Sequence, residues 1–92
     1  MYDVIYTRRF KKKRKKLLHS GSYDDTVLRF IIGELKSGNL LHIRFRDHAL
    51  VGNNLGTREC HIAPDLLLLY ELDNDIKILT LINIGSHSEL FG

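Results

Sequence analysis

Among its 92 residues the chain has one cysteine, one proline, one methionine and no tryptophan. A lone cysteine excludes an internal disulfide, and a reducing, cytoplasmic setting fits. No apolar run approaches the roughly 20 residues of a membrane-spanning helix, so no membrane partner is expected. The opening Met1-Tyr2-Asp3-Val4-Ile5-Tyr6 lacks the basic-then-apolar order of a signal peptide. Also missing are a glycine-rich phosphate loop, close-spaced zinc ligands and a nucleophile elbow. Zinc held by scattered histidines is conceivable, but no close-spaced pair supports it. From Arg8 to His19 there is no acidic residue at all.

What is present suits one small α+β domain spanning residues 1–92, with 43% hydrophobic and 27% charged residues. The net charge of +3 favours an anionic partner without identifying it. Its placement says more. Eight of the nine residues from Arg8 to Lys16 are basic, namely Arg8, Arg9, Lys11, Lys12, Lys13, Arg14, Lys15 and Lys16, with Phe10 the exception. Thr7 suits a helix cap, and Phe10, Leu17 and Leu18 form a thin apolar stripe on an otherwise cationic helix. Such a stripe of positive potential suits phosphates; it equally suits an acidic protein segment or simply a solvated face.

The order of elements follows from periodicity and breakers. Tyr2 to Tyr6 is rich in β-branched and aromatic residues and predicts a first strand. The cationic helix ends at Ser20-Gly21. Ser22 and Asp25 resemble a capping box for a second helix, in which Val27, Leu28, Ile31 and Leu35 repeat at helical spacing to about Ser37, with a stop at Gly38. Being the more apolar of the pair, it should lie on the sheet. Residues 39–56 show no sustained period, and Gly52, Asn53, Asn54 and Gly56 mark turns; a loop of this length in a small domain is usually functional. Strands are expected over Thr57–Ile62, Leu66–Leu72 and Ile76–Ile84, the last two joined by a turn at Asp73-Asn74-Asp75. The architecture is thus β-α-α-β-β-β, an antiparallel meander covered by a helical hairpin. Ser86-His87-Ser88-Glu89 is a capping box, so a short C-terminal helical turn should follow, with Leu90 and Phe91 tucked inward.

The chemistry concentrates around Arg58-Glu59-Cys60-His61-Ile62-Ala63-Pro64-Asp65. Alternation along a strand puts Glu59 and His61 on one face and Cys60 on the other. A carboxylate beside an imidazole, with Asp65 across the turn, is a plausible acid–base site; the plainer alternative is the wet face of a hairpin. Of five histidines, His48, His61 and His87 adjoin turns or strand ends in the C-terminal half, whereas His19 and His42 do not. Imidazole suits proton transfer near neutral pH. Cys60 reads as a small buried hydrophobe rather than a nucleophile.

Asp47-His48-Ala49-Leu50-Val51-Gly52, then Arg58 through Tyr70, then Gly85-Ser86-His87-Ser88-Glu89-Leu90-Phe91-Gly92 resemble the YafQ branch of the RelE/ParE toxin superfamily, closely over residues 47–92 and loosely over the whole chain. The resemblance implies a ribosome-dependent endoribonuclease, the toxin of a toxin–antitoxin pair, that cuts mRNA in the ribosomal A site without metal or other cofactor. In such chemistry the 2′-hydroxyl attacks the adjacent phosphate and leaves a 2′,3′-cyclic phosphate and a 5′-hydroxyl. It needs a base, an acid and positive charge on the phosphate. Carried onto matching positions, the resemblance implies His87 as general acid, His61 on the 2′-hydroxyl, Asp65 orienting a histidine and His48 holding RNA. It also implies Arg58 on the phosphate and Phe91 against a base or against His87. Glu59 and Asp65 both compete for the role of base, and Glu59 stands where the family usually has Asp. The basic helix would grip ribosomal RNA. The implied partners are a cognate antitoxin, the ribosome and mRNA, with no sequence-specific DNA binding by the toxin itself. A non-nuclease ParE-like toxin and an RNA-binding module acting through the basic helix are the rival readings.

Overall fold

Strand pairing in the computed structural model, which describes residues 1–51 and 56–92, builds one five-stranded mixed sheet. The strands are β1 (Asp3–Tyr6), β2 (His48–Ala49), β3 (Arg58–Ala63), β4 (Leu66–Asp73) and β5 (Ile78–Gly85), in spatial order β1-β5-β4-β3-β2. The expected meander is β3–β4–β5. β1 joins it in parallel alongside β5, and β2 adds two residues to the far edge of β3. β2 lies within the stretch that showed no period, because two residues are too few to display alternation. Gly52, Asn53 and Asn54, read as turn residues, lie outside the described residues, whereas Gly56 adopts φ +87°, a backbone conformation that glycine alone enters freely.

The helices α1 (Arg8–His19) and α2 (Asp25–Lys36) cover one face of the sheet, α1 against β5 and α2 against β3. α1 is held by few groups. Phe10 is its only fully buried side chain, and Leu18, placed on the apolar stripe, is half exposed. The Thr7 hydroxyl accepts from the Phe10 amide at 3.1 Å and donates to the Ile82 carbonyl at 2.7 Å, so the cap also fastens the helix to β5. Arg14 closes the hairpin through a two-pronged pair with Asp25, at 3.0 and 2.7 Å. The N-cap of α2 is Asp24, which accepts from the Thr26 amide at 2.9 Å, rather than Ser22. A carboxylate next to the first turn both satisfies a free amide and faces the positive end of the helix dipole, which a serine two residues earlier cannot do. α2 ends as expected, with Ser37 as C-cap and Gly38 at φ +81°.

Leu28, Ile31, Ile32 and Leu35 of α2 pack with Cys60, Leu68, Tyr70, Leu79, Leu81 and Ile84 of the sheet to form the core. β4 is central and buries Leu67 as well as Leu68, in keeping with its apolar residues on both faces. β5 begins at Ile78 rather than Ile76. Lys77 takes φ 57°, which closes the turn two residues later than the sequence suggested and leaves Ile76 exposed. The last helix, α3 (His87–Phe91), starts where the capping box predicts, and both of its reciprocal hydrogen bonds are present. None of its residues is buried, so Phe91 stays on the surface instead of tucking inward.

Candidate active site

Register assembles the site. Residues directly opposed in neighbouring strands place their side chains on the same face. One row across the sheet runs His48, Glu59, Leu69, Asn83, and the next runs His61, Leu67, Gly85. Both lie on the face opposite Cys60, Leu68 and Ile84, and thus away from the helical layer. Asp65 sits in the turn that ends β3, and His87 follows two residues after Gly85, so both belong to the end of the sheet where the second row lies. The three histidines set apart in the sequence therefore come from β2, β3 and α3 to one end of one sheet face. His42 instead caps a single 3-10 turn (Ile43–Phe45), its Nδ1 accepting from the Arg44 amide at 3.1 Å, and His19 lies in the last turn of α1.

His48 is held at both ring nitrogens. Nδ1 lies 2.7 Å from the Arg46 carbonyl oxygen, and Nε2 lies 2.8 Å from Glu59 Oε2. A carbonyl oxygen can only accept, so Nδ1 is the donor in that contact. Glu59 is 4% exposed, and its Oε1 has no hydrogen-bond partner among the described residues. The longer Glu side chain therefore reaches its histidine, but it lies beneath His48 on the floor of the sheet.

At the opposite side of the site, Asp65 Oδ1 accepts from the backbone N–H of His87 at 3.2 Å, so it orients that residue through the main chain. The rings of His87 and Phe91 lie 5.1 Å apart at 50°, one helical turn from each other. Glu89, the reciprocal member of the capping box, pairs with Lys13 of α1 at 3.2 Å and its carboxyl lies below the usual range, chiefly because the Ser86 amide donates to it.

Arg58 is not among this group. Next to Glu59 on a strand it must face the other way, and it pairs with Asp47 at 3.0 Å and contacts the Tyr70 hydroxyl at 3.4 Å. Tyr70 is fully buried and also donates to Asp47; burial and that carboxylate push its phenol up. The trio Asp47–Arg58–Tyr70 ties the residue before His48 to β3 and β4. Nothing local in the sequence marks Asp47 or Tyr70 for this role, beyond Asp47 preceding a candidate histidine. The basic helix divides as well. Arg14 is turned onto Asp25 and Lys13 onto Glu89, while Arg8, Arg9, Lys12, Lys13 and Lys16 line a cavity of about 630 Å³ with Asn83 and Glu89. Among the described residues no group of three or more His, Cys, Asp or Glu side chains is placed to hold a metal ion.

Residues 2–92 match the family described as a bacterial toxin of type II toxin–antitoxin system, YafQ. The chain is 32% identical over 91 residues to the mRNA interferase toxin YafQ of Escherichia coli K12, covering 98% of this chain and 96% of that protein. Among solved structures, a copper-bound mutant toxin from Helicobacter pylori superposes with a TM-score of 0.92 at 41% identity, covering 99% of this chain and all of the other. In the E. coli DinJ–YafQ complex the matching chain gives a TM-score of 0.86 at 30% identity, with full coverage of both.

Proposed function

The chain belongs to the YafQ family of bacterial type II toxin–antitoxin toxins, and from that premise we propose that it is an mRNA interferase, a ribosome-dependent endoribonuclease that cuts mRNA in the A site. What supports this reading is the strand register, which draws His48, His61 and His87 towards one end of one sheet face, with Glu59 against the His48 ring and Asp65 on the His87 backbone amide. Three imidazoles in one place supply the proton donors and acceptors that cleavage by a 2′-hydroxyl needs without drawing on any other group.

In this mechanism His61 takes or positions the 2′-hydroxyl proton as the oxygen attacks the adjacent phosphorus. His87 donates a proton to the departing 5′-oxygen, leaving a 2′,3′-cyclic phosphate and a free 5′-hydroxyl. Phe91 braces the His87 ring, and Asp65 fixes the start of α3, so the acid arrives already oriented. His48 is half exposed and faces the RNA, whereas Glu59 is too deeply buried to touch a 2′-hydroxyl and acts through His48. The cationic face of α1 grips ribosomal RNA, and Arg58 keeps Asp47 neutralised beside the site. A cognate antitoxin, paired as DinJ is with YafQ in the E. coli complex, is the expected protein partner.

The test is to express the wild type and the His61→Ala and His87→Ala variants in cells and map mRNA ends during growth arrest. The wild type should create new 5′ ends, and each variant should lose about 10²–10⁴-fold of that cleavage. Equal growth arrest by all three without new ends would sink the nuclease reading. Cleavage by purified protein with ribosomes, retained in chelator, would support chemistry that needs no metal.

A further inference from the structure

The cavity between the 3-10 turn and the open end of β3 shares only His61 with the steps above. It measures about 430 Å³, within the ordinary range for a small-molecule site. Val27 and Phe45 form its apolar wall, Arg44, Arg46 and His61 contribute its polar groups, and no carboxylate lines it. Resting on the RNA-cleavage reading, we infer that this cavity is a nucleotide subsite adjoining the His48 and His61 centre, in which Arg44 and Arg46 hold a phosphate of the RNA flanking the scissile bond.

Four features support the assignment. First, Arg44 and Arg46 make no ion pair among the described residues, while the nearest acid in the chain, Asp47, is already engaged by Arg58 and Tyr70. Positive charge in the cavity is therefore available to an incoming anion. Second, the Arg44 guanidinium stacks 4.7 Å over the Phe45 ring, which holds its planar fork ready for bidentate contact with phosphate. Third, β2 pairs only with Arg58 and Glu59, so from Cys60 to Ala63 the edge of β3 has no strand beside it among the described residues. Those free backbone groups suit the edge of a base. Fourth, Arg46 adopts φ 50°, a left-handed conformation uncommon for a residue with a side chain. Its carbonyl accepts from His48 Nδ1 while its side chain lines the cavity, so one residue both positions His48 and holds the phosphate. A peptide strand would also use the open edge, but two unpaired guanidiniums beside imidazole and no acid favour a phosphodiester.

An uncleavable 2′-O-methyl dinucleotide, inorganic phosphate and an acidic peptide, titrated separately into the full-length protein, distinguish the possible occupants by backbone NMR. The inference expects the dinucleotide to shift the amides of Arg44, Phe45, Arg46, Ile62 and Ala63, with phosphate reproducing only the part at the two arginines. Shifts there from the peptide alone, or dinucleotide shifts confined to α1, overturn it. In ribosome-dependent cleavage, Arg44→Ala and Arg46→Asn (an asparagine tolerates the left-handed backbone) should each raise KM about tenfold, with kcat little changed. Each should also lower the salt slope of RNA affinity by about 0.7. Arg46→Lys should restore part of the binding. Variants that match the wild type in KM and salt slope overturn the subsite while leaving the nuclease reading intact. If the wild type cuts no mRNA the nuclease reading fails, and the dinucleotide titration, which needs no catalysis, still decides the subsite.

Discussion

The His48–Glu59 pair offers the most demanding test of the site's physics. Glu59 is 4% exposed, and among the described residues its carboxyl has one partner, His48 at 2.8 Å. Stripping one partner from a fully buried ion pair costs about 3–5 kcal/mol, because the other charge stays behind without solvation. The His48 side chain is 51% exposed, so water will replace part of what His48→Ala removes, and a loss of about 2 kcal/mol is expected. In a domain of this size that corresponds to a fall in Tm of roughly 10 °C. Glu59→Gln keeps the shape and removes the charge, so it should cost about 1 kcal/mol or less. The double variant should be hardly worse than Glu59→Gln alone, giving a coupling of about 1–2 kcal/mol in a double-mutant cycle read by urea unfolding. If the two losses simply add within about 0.5 kcal/mol, the pair is not an energetic unit and burial does not couple them. In the cleavage assay both single variants should lose activity, Glu59→Gln despite its small effect on stability, since it releases the ring that faces the RNA.

Other consequences are equally direct. Tyr70→Phe removes a buried hydroxyl from Asp47, which should cost about 1–2 kcal/mol in urea unfolding and lower cleavage by loosening His48; unchanged cleavage would separate the trio from the site. Asp25 lies below its ordinary value of 3.8, chiefly because Arg14 donates to it. Its contribution to stability is therefore present above that value and lost as pH falls through the folded-state value. Asp25→Asn should make the fall in Tm below about pH 4 shallower than in the wild type. Burial pushes the Cys60 thiol up to about 12, so in the native protein it should resist thiol reagents until unfolding exposes it; rapid labelling of folded protein would contradict the fold. Phe10→Ala should cost about 3–5 kcal/mol by thermal unfolding, as α1 has no other fully buried anchor.

The sequence determined what depends on neighbours along the chain. Periodicity marked both long helices, Thr7 marked the start of the first, Gly38 ended the second, and Ser86 with Glu89 predicted the start of α3 at His87. Alternation alone separated Glu59 and His61 from Cys60, and the same rule, applied one residue earlier, sets Arg58 apart from them. The tertiary structure decided what depends on register and on partners far away in sequence. β2 is too short to leave a pattern, yet its pairing opposite Glu59 is what delivers His48 to the site. No local signal says that β1 lies parallel to β5, that Arg14 serves Asp25 rather than RNA, or that Asp47 is consumed by Arg58 and Tyr70. Nor does the sequence reveal that Arg44 and Arg46 border the open edge of β3 beside His61, because that closeness arises only when the loop folds back over the sheet. Helices and faces are set by contacts a few residues apart, and the sequence carries those directly. A site is set by which side chains meet across strands, and only the pairing of the strands decides that.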